Sequence, residues 1–278
     1  MKKTRAQRFS SISRGLFTAL LLMLTLFPFY WTLIISLKNQ VDAFQTPPKL
    51  IFMPTMVNYM ELFNEGGFSR YFINSFIVCF FSIALALLIG IPSAYIFARN
   101  EFRFKKAFFY VLLTTRMSPG AVFVIPYFLA YNRIGAMDTY TGLTLIYFAM
   151  NLGIIVWSLR AFMEEVPVSL EEAARIDGCS LIQTMLRVTI PLSTPGIAST
   201  AILAFIFSWN EFLFALLLSR QKVQTAPIGI LNFVVFEKMN WGVIAAGSII
   251  ISLPVIIFGI AIRKYYVKGL TQGGLAGD

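Results

Sequence analysis

The chain has 278 residues, of which 58% are hydrophobic and 13% charged, and its net charge is +10. Soluble domains have about 25% charged residues, so this composition is that of a polytopic membrane protein and excludes an ordinary globular domain. The sequence contains no histidine, which excludes imidazole metal sites, serine–histidine pairs and zinc-dependent intramembrane proteases. The two cysteines, Cys79 and Cys179, lie in an apolar run and a polar segment, so no disulfide framework is predicted.

Six apolar runs are long enough to cross a bilayer. They are approximately residues 16–37, 72–98, 107–131, 139–162, 192–218 and 241–262. The first run follows a basic segment, as in a signal peptide. Its length is that of a membrane span, however, and no small-residue cleavage site precedes Lys38, so we expect an uncleaved first span. Proline residues within the spans favour a bundle that lines a cavity.

The basic residues are distributed unequally across the predicted membrane. With a cytoplasmic N-terminus, fifteen of the 23 Lys and Arg residues lie on the cytoplasmic side and seven on the other, while Arg116 lies within a span. Lys and Arg are enriched in cytoplasmic loops. The sequence therefore predicts a single all-α membrane domain over residues 1–278 with both termini in the cytoplasm. Its cytoplasmic parts are an N-terminal segment (1–15), a loop (163–190) and a C-terminal tail (263–278).

The predicted cytoplasmic loop contains a polar, helix-like stretch, VSLEEAARIDGCSLIQTMLRVTIP, at residues 168–191. Ser169 and Glu172 have the spacing of a capping box, which predicts a helix from Leu170. Gly178 suits a left-handed turn that ends this helix.

A second capping box, Ser180 with Gln183, predicts a second helix in the same loop. Its expected apolar face consists of Leu181, Ile182, Met185, Leu186 and Thr189, and Pro191 closes the unit. A plain connecting loop is one interpretation. Loops longer than about 12–15 residues are usually functional, which favours the other interpretation, a docking surface for a second protein.

Several motifs resemble the permeases of ATP-binding-cassette importers. The family's EAA loop is similar to the pattern Glu172-Ala173-Ala174, three intervening residues, Gly178, nine intervening residues and Val188-x-Ile190-Pro191, with Val and Ile in place of Ile and Leu. The stretches PTMVNYMELF, IPSAYIFAR, PGIASTAILAFIFSWNEFLFAL and VKGLTQGG resemble six-span sugar permeases of the maltose-transporter type. The resemblance extends over nearly the whole chain from about Pro54.

This resemblance implies that the loop is a coupling helix that docks on a separate ATPase subunit. The residues expected to make that contact are Glu171, Glu172, Ala173, Ala174, Asp177, Gly178 and Pro191, with the carboxylates facing basic side chains of the ATPase. The chain has no G-x-x-x-x-G-K-[ST] motif, so we expect it to be no enzyme and to bind no cofactor, with ATP and Mg²⁺ on the partners.

The family resemblance also implies an assembly in a bacterial cytoplasmic (inner) membrane. The expected partners are a second, different permease subunit, two ATPase subunits and an extracytoplasmic substrate-binding protein, with no nucleic acid. The implied cargo is a sugar, polyol or oligosaccharide.

Two charged residues, Arg116 and Glu211, lie well inside predicted spans. A charge near mid-bilayer costs roughly 2.5–3.5 kcal/mol, so such residues usually face a cavity or a partner. The predicted translocation path consists of Arg116, Asn151, Trp209, Asn210, Glu211 and Phe212, with aromatic rings that stack on sugars. A purely structural Arg116–Glu211 pair, with core or lipid-facing aromatic rings, is the alternative.

The predicted extracytoplasmic segments are residues 38–71 and 219–240. The second segment exposes an apolar stretch that includes Val234, which favours contact with the binding protein through Ile230, Leu231, Asn232 and Phe233. A plain linker is the competing interpretation of the first segment.

The sequence leaves three alternatives. In the first, the same architecture carries an anionic carbohydrate such as glycerol phosphate, with Arg116 as the anion partner. A secondary transporter or channel often has internal repeats, and no convincing repeat is present. An intramembrane enzyme would lack a credible base or metal set without histidine.

Overall fold

The computed structural model describes residues 5–64, 66–117, 119–235 and 238–273. The described elements are α1 (Arg5–Ser36), α2 (Gln40–Ala43), α3 (Val57–Asn64), α4 (Phe68–Arg99), α5 (Lys105–Met117), α6 (Gly120–Arg133), α7 (Tyr140–Glu164), α8 (Val168–Ile176), α9 (Leu181–Thr184), a π-helix (Met185–Thr189), α10 (Ile190–Leu192), α11 (Thr194–Trp209), α12 (Leu213–Leu218), α13 (Ala226–Gly229), a 3₁₀ helix (Ile230–Phe233), β1 (Val234–Val235), β2 (Lys238–Met239) and α14 (Trp241–Gly273).

Within the described residues, four helices are individually long and apolar enough to cross a membrane. They contain Ser13–Ser36, Phe68–Arg99, Tyr140–Glu164 and Trp241–Ala261, and they match the first, second, fourth and sixth predicted spans. The pair Leu181–Leu192 and Thr194–Trp209 passes the same test as one span with a bend of 76°. The all-α polytopic class is therefore confirmed.

The third predicted span is divided between two helices, α5 and α6. They have 13 and 14 residues, and each is shorter than the roughly 20 residues that a single straight span needs. Pro119 precedes α6 with an extended ψ of 122°. The division falls at Pro119 and Gly120, a residue pair that favours the end of one helix and the start of another.

The chain divides into two compact units. The first contains the residues up to Phe68 together with Ile230–Ser252, and the second contains Ser69–Gly229 and the residues from Leu253 onward.

Asn58 on α3 organises the first unit. Its side-chain amide donates to the carbonyls of Ser36 and Lys38 at 2.8 and 2.6 Å, so it satisfies carbonyl groups where α1 ends. Gly242 lies against the same side chain, since a Cβ there would be 2.3 Å from Asn58 Oδ1. The two short strands pair antiparallel, Val234 with Met239 and Val235 with Lys238.

The second unit contains a hydrophobic core built from α4, α6, α7 and α12. Its buried members are Val78, Tyr131, Leu143, Ile146, Tyr147, Phe214, Ala215, Leu218, Val223 and Ile228. Helix α7 also packs along α5 and α11. Helices α7 and α11 lie side by side, and the polar residues Asn151 and Ser208 meet between them.

Candidate functional site

The predicted coupling loop consists of two short helical segments around a glycine, as the sequence indicates. Helix α8 ends at Ile176, and Gly178 has a φ of +90°, the left-handed conformation predicted for it. The Cys179 N–H donates to the Ala174 carbonyl at 3.0 Å and completes the turn.

The predicted capping box at Ser169 is wrong. Helix α8 begins at Val168, two residues before the predicted start at Leu170, and Pro167 occupies the N-cap position without a side-chain hydrogen bond. Ser169 is therefore already inside the helix, where its backbone is not available as a cap. The second box, Ser180 with Gln183, is confirmed in both directions.

The second half of the loop differs from the predicted regular helix. Its middle is a π-helix, and its apolar residues do not share one inward face. Leu181, Ile182 and Leu186 are exposed, whereas Thr184 and Thr189 are buried. The polar threonines point inward because they have hydrogen-bond acceptors there: Thr184 donates to the Ser180 carbonyl, and Thr189 to Glu171.

The predicted docking contact of Glu171 with an ATPase is wrong, because this residue is buried. Its side chain is 2% exposed, so its carboxylate is not available to another protein. Oε1 accepts from Arg99 Nε at 2.9 Å and from Thr189 Oγ1 at 2.7 Å, and Oε2 accepts from the Tyr95 hydroxyl at 3.0 Å. We refer to Glu171, Arg99, Tyr95 and Thr189 as the Glu171 junction. It joins the end of α4 to both halves of the loop.

The outer side of the loop retains most of the other predicted docking residues. Glu172, Ala173, Asp177, Gly178 and Pro191 are exposed, and Ala174 is half-buried. Beside them, Ile176 is 86% exposed. A large exposed apolar side chain between two carboxylates and a tight glycine turn is a surface suited to close protein contact.

The predicted path residues separate into buried and accessible groups. Trp209 is 1% exposed and packs against Phe72, Phe76 and Phe205 with ring centroids 4.7–5.3 Å apart, so its face is not open to a sugar. Asn210 and Phe212 are exposed.

Glu211 lies in the break between α11 and α12. Its carboxylate accepts from the N–H groups of Phe214 and Ala215, both at 3.1 Å, and so caps α12. The Arg116 side chain lies outside the described residues, and its predicted role stays a prediction. The carboxylate of Glu211 thus has backbone partners of its own.

Asn151 is buried between α7 and α11. Its amide donates to Ser208 Oγ at 2.7 Å and to the Tyr147 carbonyl at 2.8 Å, whereas Oδ1 is buried without a partner. A small cavity is lined by Asn151, Glu211, Tyr147, Met150, Phe207 and Ser208.

The volume of this cavity is about 10 Å³, which is room for about one water molecule and far below the roughly 300–1,000 Å³ of typical small-molecule sites. Sequence reasoning missed Tyr147 and Ser208. Both look like ordinary core residues in an apolar run, and only the packing of α7 on α11 brings them to Asn151.

The stretch Ile230–Phe233 is a 3₁₀ helix of the first unit, and its apolar side chains are less exposed than predicted. Leu231 and Asn232 are exposed, while Ile230 and Phe233 are partly buried. A Cβ on Gly66 would lie 2.0 Å from the Phe233 ring, so that ring packs directly on the glycine backbone. Leu231 and Asn232 are the members of the predicted contact that remain accessible.

Asp138 is a polar site that sequence reasoning missed. It precedes α7 with a φ of +55°, and its carboxylate accepts hydrogen bonds from the backbone N–H groups of Arg220, Gln221, Lys222 and Val223 at 3.0–3.2 Å. Partial burial raises the pKa of Asp138, but these four donors outweigh it and leave the pKa below its ordinary value. No local pattern reveals the site, since its partners lie more than 80 residues away.

Comparison with known proteins identifies the family. Residues 86–272 match the family model of the binding-protein-dependent transport system inner membrane component. The trehalose transport system permease protein of Mycobacterium tuberculosis is 37% identical over 258 residues, which cover 91% of this chain and 93% of that protein.

Two solved structures share the fold. One is a bacterial ABC transporter involved in import of the acidic polysaccharide alginate, with a TM-score of 0.80, 22% identity and coverage of 96% of this chain and 99% of that chain. The other is a bacterial alginate ABC transporter in complex with a periplasmic protein that carries an alginate pentasaccharide, with a TM-score of 0.65, 16% identity and coverage of 92% and 95%. The chain therefore belongs to the family of inner membrane components of binding-protein-dependent transport systems.

Proposed function

We propose that this chain is one of two permease subunits that together form the translocation path of an ATP-driven carbohydrate importer. The cavity beside Asn151 and Glu211 supports a partly polar path at this place, since the side chains of Asn151, Ser208 and Glu211 contribute to its lining. The trehalose permease of M. tuberculosis supports a carbohydrate as cargo. A different permease subunit completes the path, and two ATPase subunits carry ATP and Mg²⁺. An extracytoplasmic binding protein delivers the cargo, and both termini of this chain lie in the cytoplasm.

The observation that carries the proposal is the two-sided construction of the coupling loop. On its inner side, the Glu171 junction ties the loop to α4 through a carboxylate with three side-chain donors. On its outer side, Glu172, Ala173 and Ile176 are exposed. An ATPase that binds the outer side can therefore displace α4 and the following helices together with the loop.

A second cargo class, an anionic carbohydrate, has two supporting observations. A structural neighbour belongs to a transporter that imports the acidic polysaccharide alginate, and Arg116 lies within an apolar helix of this chain. Uptake by the Arg116→Gln variant distinguishes the two cargo classes. Uptake of an anionic cargo should be lost in this variant, whereas uptake of a neutral sugar should be retained.

The coupling test compares Gly178→Val with Gly178→Asn. Asparagine tolerates a positive φ far better than a β-branched residue, so the asparagine variant should keep the turn and serve as the matched control. Uptake into cells and recovery of the ATPase with the tagged chain should fall for the valine variant alone. Unchanged uptake and ATPase recovery with valine would refute the coupling role.

The orientation is tested by labelling single cysteines in a Cys79→Ala, Cys179→Ser background. An impermeant maleimide applied to intact cells should label Gln221→Cys, whose position is exposed in the predicted extracytoplasmic segment. It should not label Lys268→Cys in the predicted cytoplasmic tail. The reverse pattern would invert the topology.

A further inference from the structure

The segment from Arg220 to Thr225 has an unusual backbone: it is held by side chains and not by a regular helix or strand. Asp138 accepts four consecutive N–H groups, and Lys222 N–H reaches both carboxylate oxygens at 3.0 Å. In addition, the Asp138 N–H donates to the Leu218 carbonyl at 2.7 Å. Four adjacent amides aimed at one anion form a backbone nest, here filled by the protein's own carboxylate.

The carbonyls of the same segment are also bound. Arg70 donates to the Lys222 carbonyl at 3.1 Å, and Asn74 donates to the carbonyls of Lys222 and Gln224 at 3.2 and 2.9 Å. The Tyr140 hydroxyl donates to Asn74 Oδ1 at 2.6 Å and fixes the orientation of that amide. These groups come from α4 and from the start of α7, so the segment is fixed on two rigid helices.

The side chains of this segment are exposed although its backbone is fixed. Arg220, Gln221 and Lys222 are exposed, as is Arg70 beside them. Residues 219–229 contain no acidic residue, and the carboxylate of Asp138 is already occupied by backbone amides. Three cations are thus presented without an acidic side chain from their own segment to neutralise them. A rigid backbone presents such charges with less loss of conformational entropy on binding than a mobile loop would.

We propose that Arg70, Arg220 and Lys222 form a preorganised docking surface for an acidic patch on the extracytoplasmic binding protein, and that Asp138 is its positioning residue. The inference rests on the proposed function, which supplies the binding protein and the side of the membrane. Complementary charge at the rim of an interface mainly raises the association rate and makes binding sensitive to salt. The surface therefore captures the loaded binding protein before the cargo is released.

The positioning role is tested with trypsin, which cleaves after Arg220 and Lys222. Proteolysis requires a mobile backbone, so the intact transporter complex in nanodiscs should resist cleavage at these two bonds. Asp138→Ala removes all the acceptors and should accelerate the appearance of fragments that begin at Gln221 or Val223 by about tenfold or more. Asp138→Asn keeps one acceptor oxygen and the positive φ, and should give an intermediate rate.

Equal cleavage rates in the wild type and Asp138→Ala would overturn the positioning role. If the alanine variant does not assemble, the asparagine variant decides: a rate equal to that of the wild type contradicts the proposal, and a faster rate supports it. This readout needs no binding protein and is independent of the proposed function.

The docking role is tested with the binding protein that cross-linking recovers from the wild-type complex. Arg220→Ala/Lys222→Ala should weaken its binding about three- to tenfold at low salt and flatten the salt dependence, since exposed charges are screened beyond about 10 Å at 0.1 M salt. Arg133→Ala, an exposed cation outside this hydrogen-bonded network, is the matched control and should have a smaller effect.

Unchanged affinity and salt dependence in the double variant would overturn the docking surface while leaving the proposed function intact. Failure to recover any binding protein with the wild type would overturn the docking surface and the proposed function together. The trypsin result then still decides whether Asp138 holds the segment.

Discussion

Removing both partners of the Glu171 junction should destabilise the protein by less than the sum of the losses from removing each partner alone. In the wild type the Arg99 guanidinium and the Glu171 carboxylate form a buried pair with side chains 10% and 2% exposed and an Nε–Oε1 distance of 2.9 Å. Arg99→Leu leaves the carboxylate with two hydroxyl donors and no counter-charge. Glu171→Gln leaves a guanidinium that still donates to the Val166 carbonyl at 2.8 Å but has lost its anion.

Removing one partner of a buried ion pair costs about 3–5 kcal/mol, because the remaining charge stays desolvated. We expect that range for Arg99→Leu and about 2–4 kcal/mol for Glu171→Gln, since glutamine can still accept from Tyr95 and Thr189. The double variant contains no buried charge and should lose about 2–3 kcal/mol less than the sum of the single losses. At about 2–4 °C per kcal/mol, the single variants should melt on the order of 10 °C lower.

The assay is thermal unfolding of the detergent-purified chain, with membrane abundance measured in parallel. The Arg160–Glu164 pair is the matched control: its two side chains are 30% and 43% exposed, and breaking it should cost less than about 1 kcal/mol. Additive losses within about 0.5 kcal/mol for Arg99→Leu and Glu171→Gln would refute the coupled junction. If Arg99→Leu lowers the stability no more than breaking the exposed Arg160–Glu164 pair does, the argument that burial makes the Glu171 carboxylate costly to leave unpaired is refuted.

Three further predictions concern single positions. Gly178→Val should lower the melting temperature by an amount that corresponds to about 1–2 kcal/mol, because its φ of +90° strains a β-branched residue. No atom lies within 4 Å of the new Cβ, so a steric clash is not the cause. The melting temperature of Gly178→Ala should fall between those of the valine variant and the wild type. Gly196→Ala should cost about 1–3 kcal/mol in the same melt because its Cβ would lie 2.3 Å from the Phe162 ring, whereas Gly259→Ala, with open space, should be neutral; equal effects would contradict the packing. The lowered pKa of Asp138 means that its stabilising effect is present above the unfolded pKa of about 3.9 and is lost as pH falls further, through the folded value. The melting difference between wild type and Asp138→Asn should therefore be constant from about pH 5 to 8 and shrink below about pH 4.

Local sequence rules predicted the features of this protein that depend on neighbours along the chain. The left-handed turn at Gly178 and the capping box at Ser180 follow from residue type and spacing, as does the interruption at Pro119. The same rules failed at Ser169, where two patterns competed. Pro167 is compatible with a helix that starts at the next residue, Val168, and the helix therefore begins before Ser169.

The polar contacts between distant segments were not predictable from spacing. Glu171 looks like a surface residue of an acidic helix, and it is buried only because Arg99 reaches it from 72 positions earlier. Trp209 looks accessible beside Asn210 and Glu211, yet Phe72 and Phe76 from α4 cover its ring. In each case a partner from another helix determines the environment.

The π-helix at Met185–Thr189 has a consequence for how force passes along the chain. Its N–H groups bond five residues back, so the turn contains one residue more than an α-helical turn. Return of this turn to α-helical geometry would shift the two flanking helical segments by about 1.5 Å along the axis and rotate one against the other by about 100°. Met185–Thr189 lies just before the 76° bend into α11, so such a return would couple a small translation of the loop to a large rotation between the loop and the helical segments that follow.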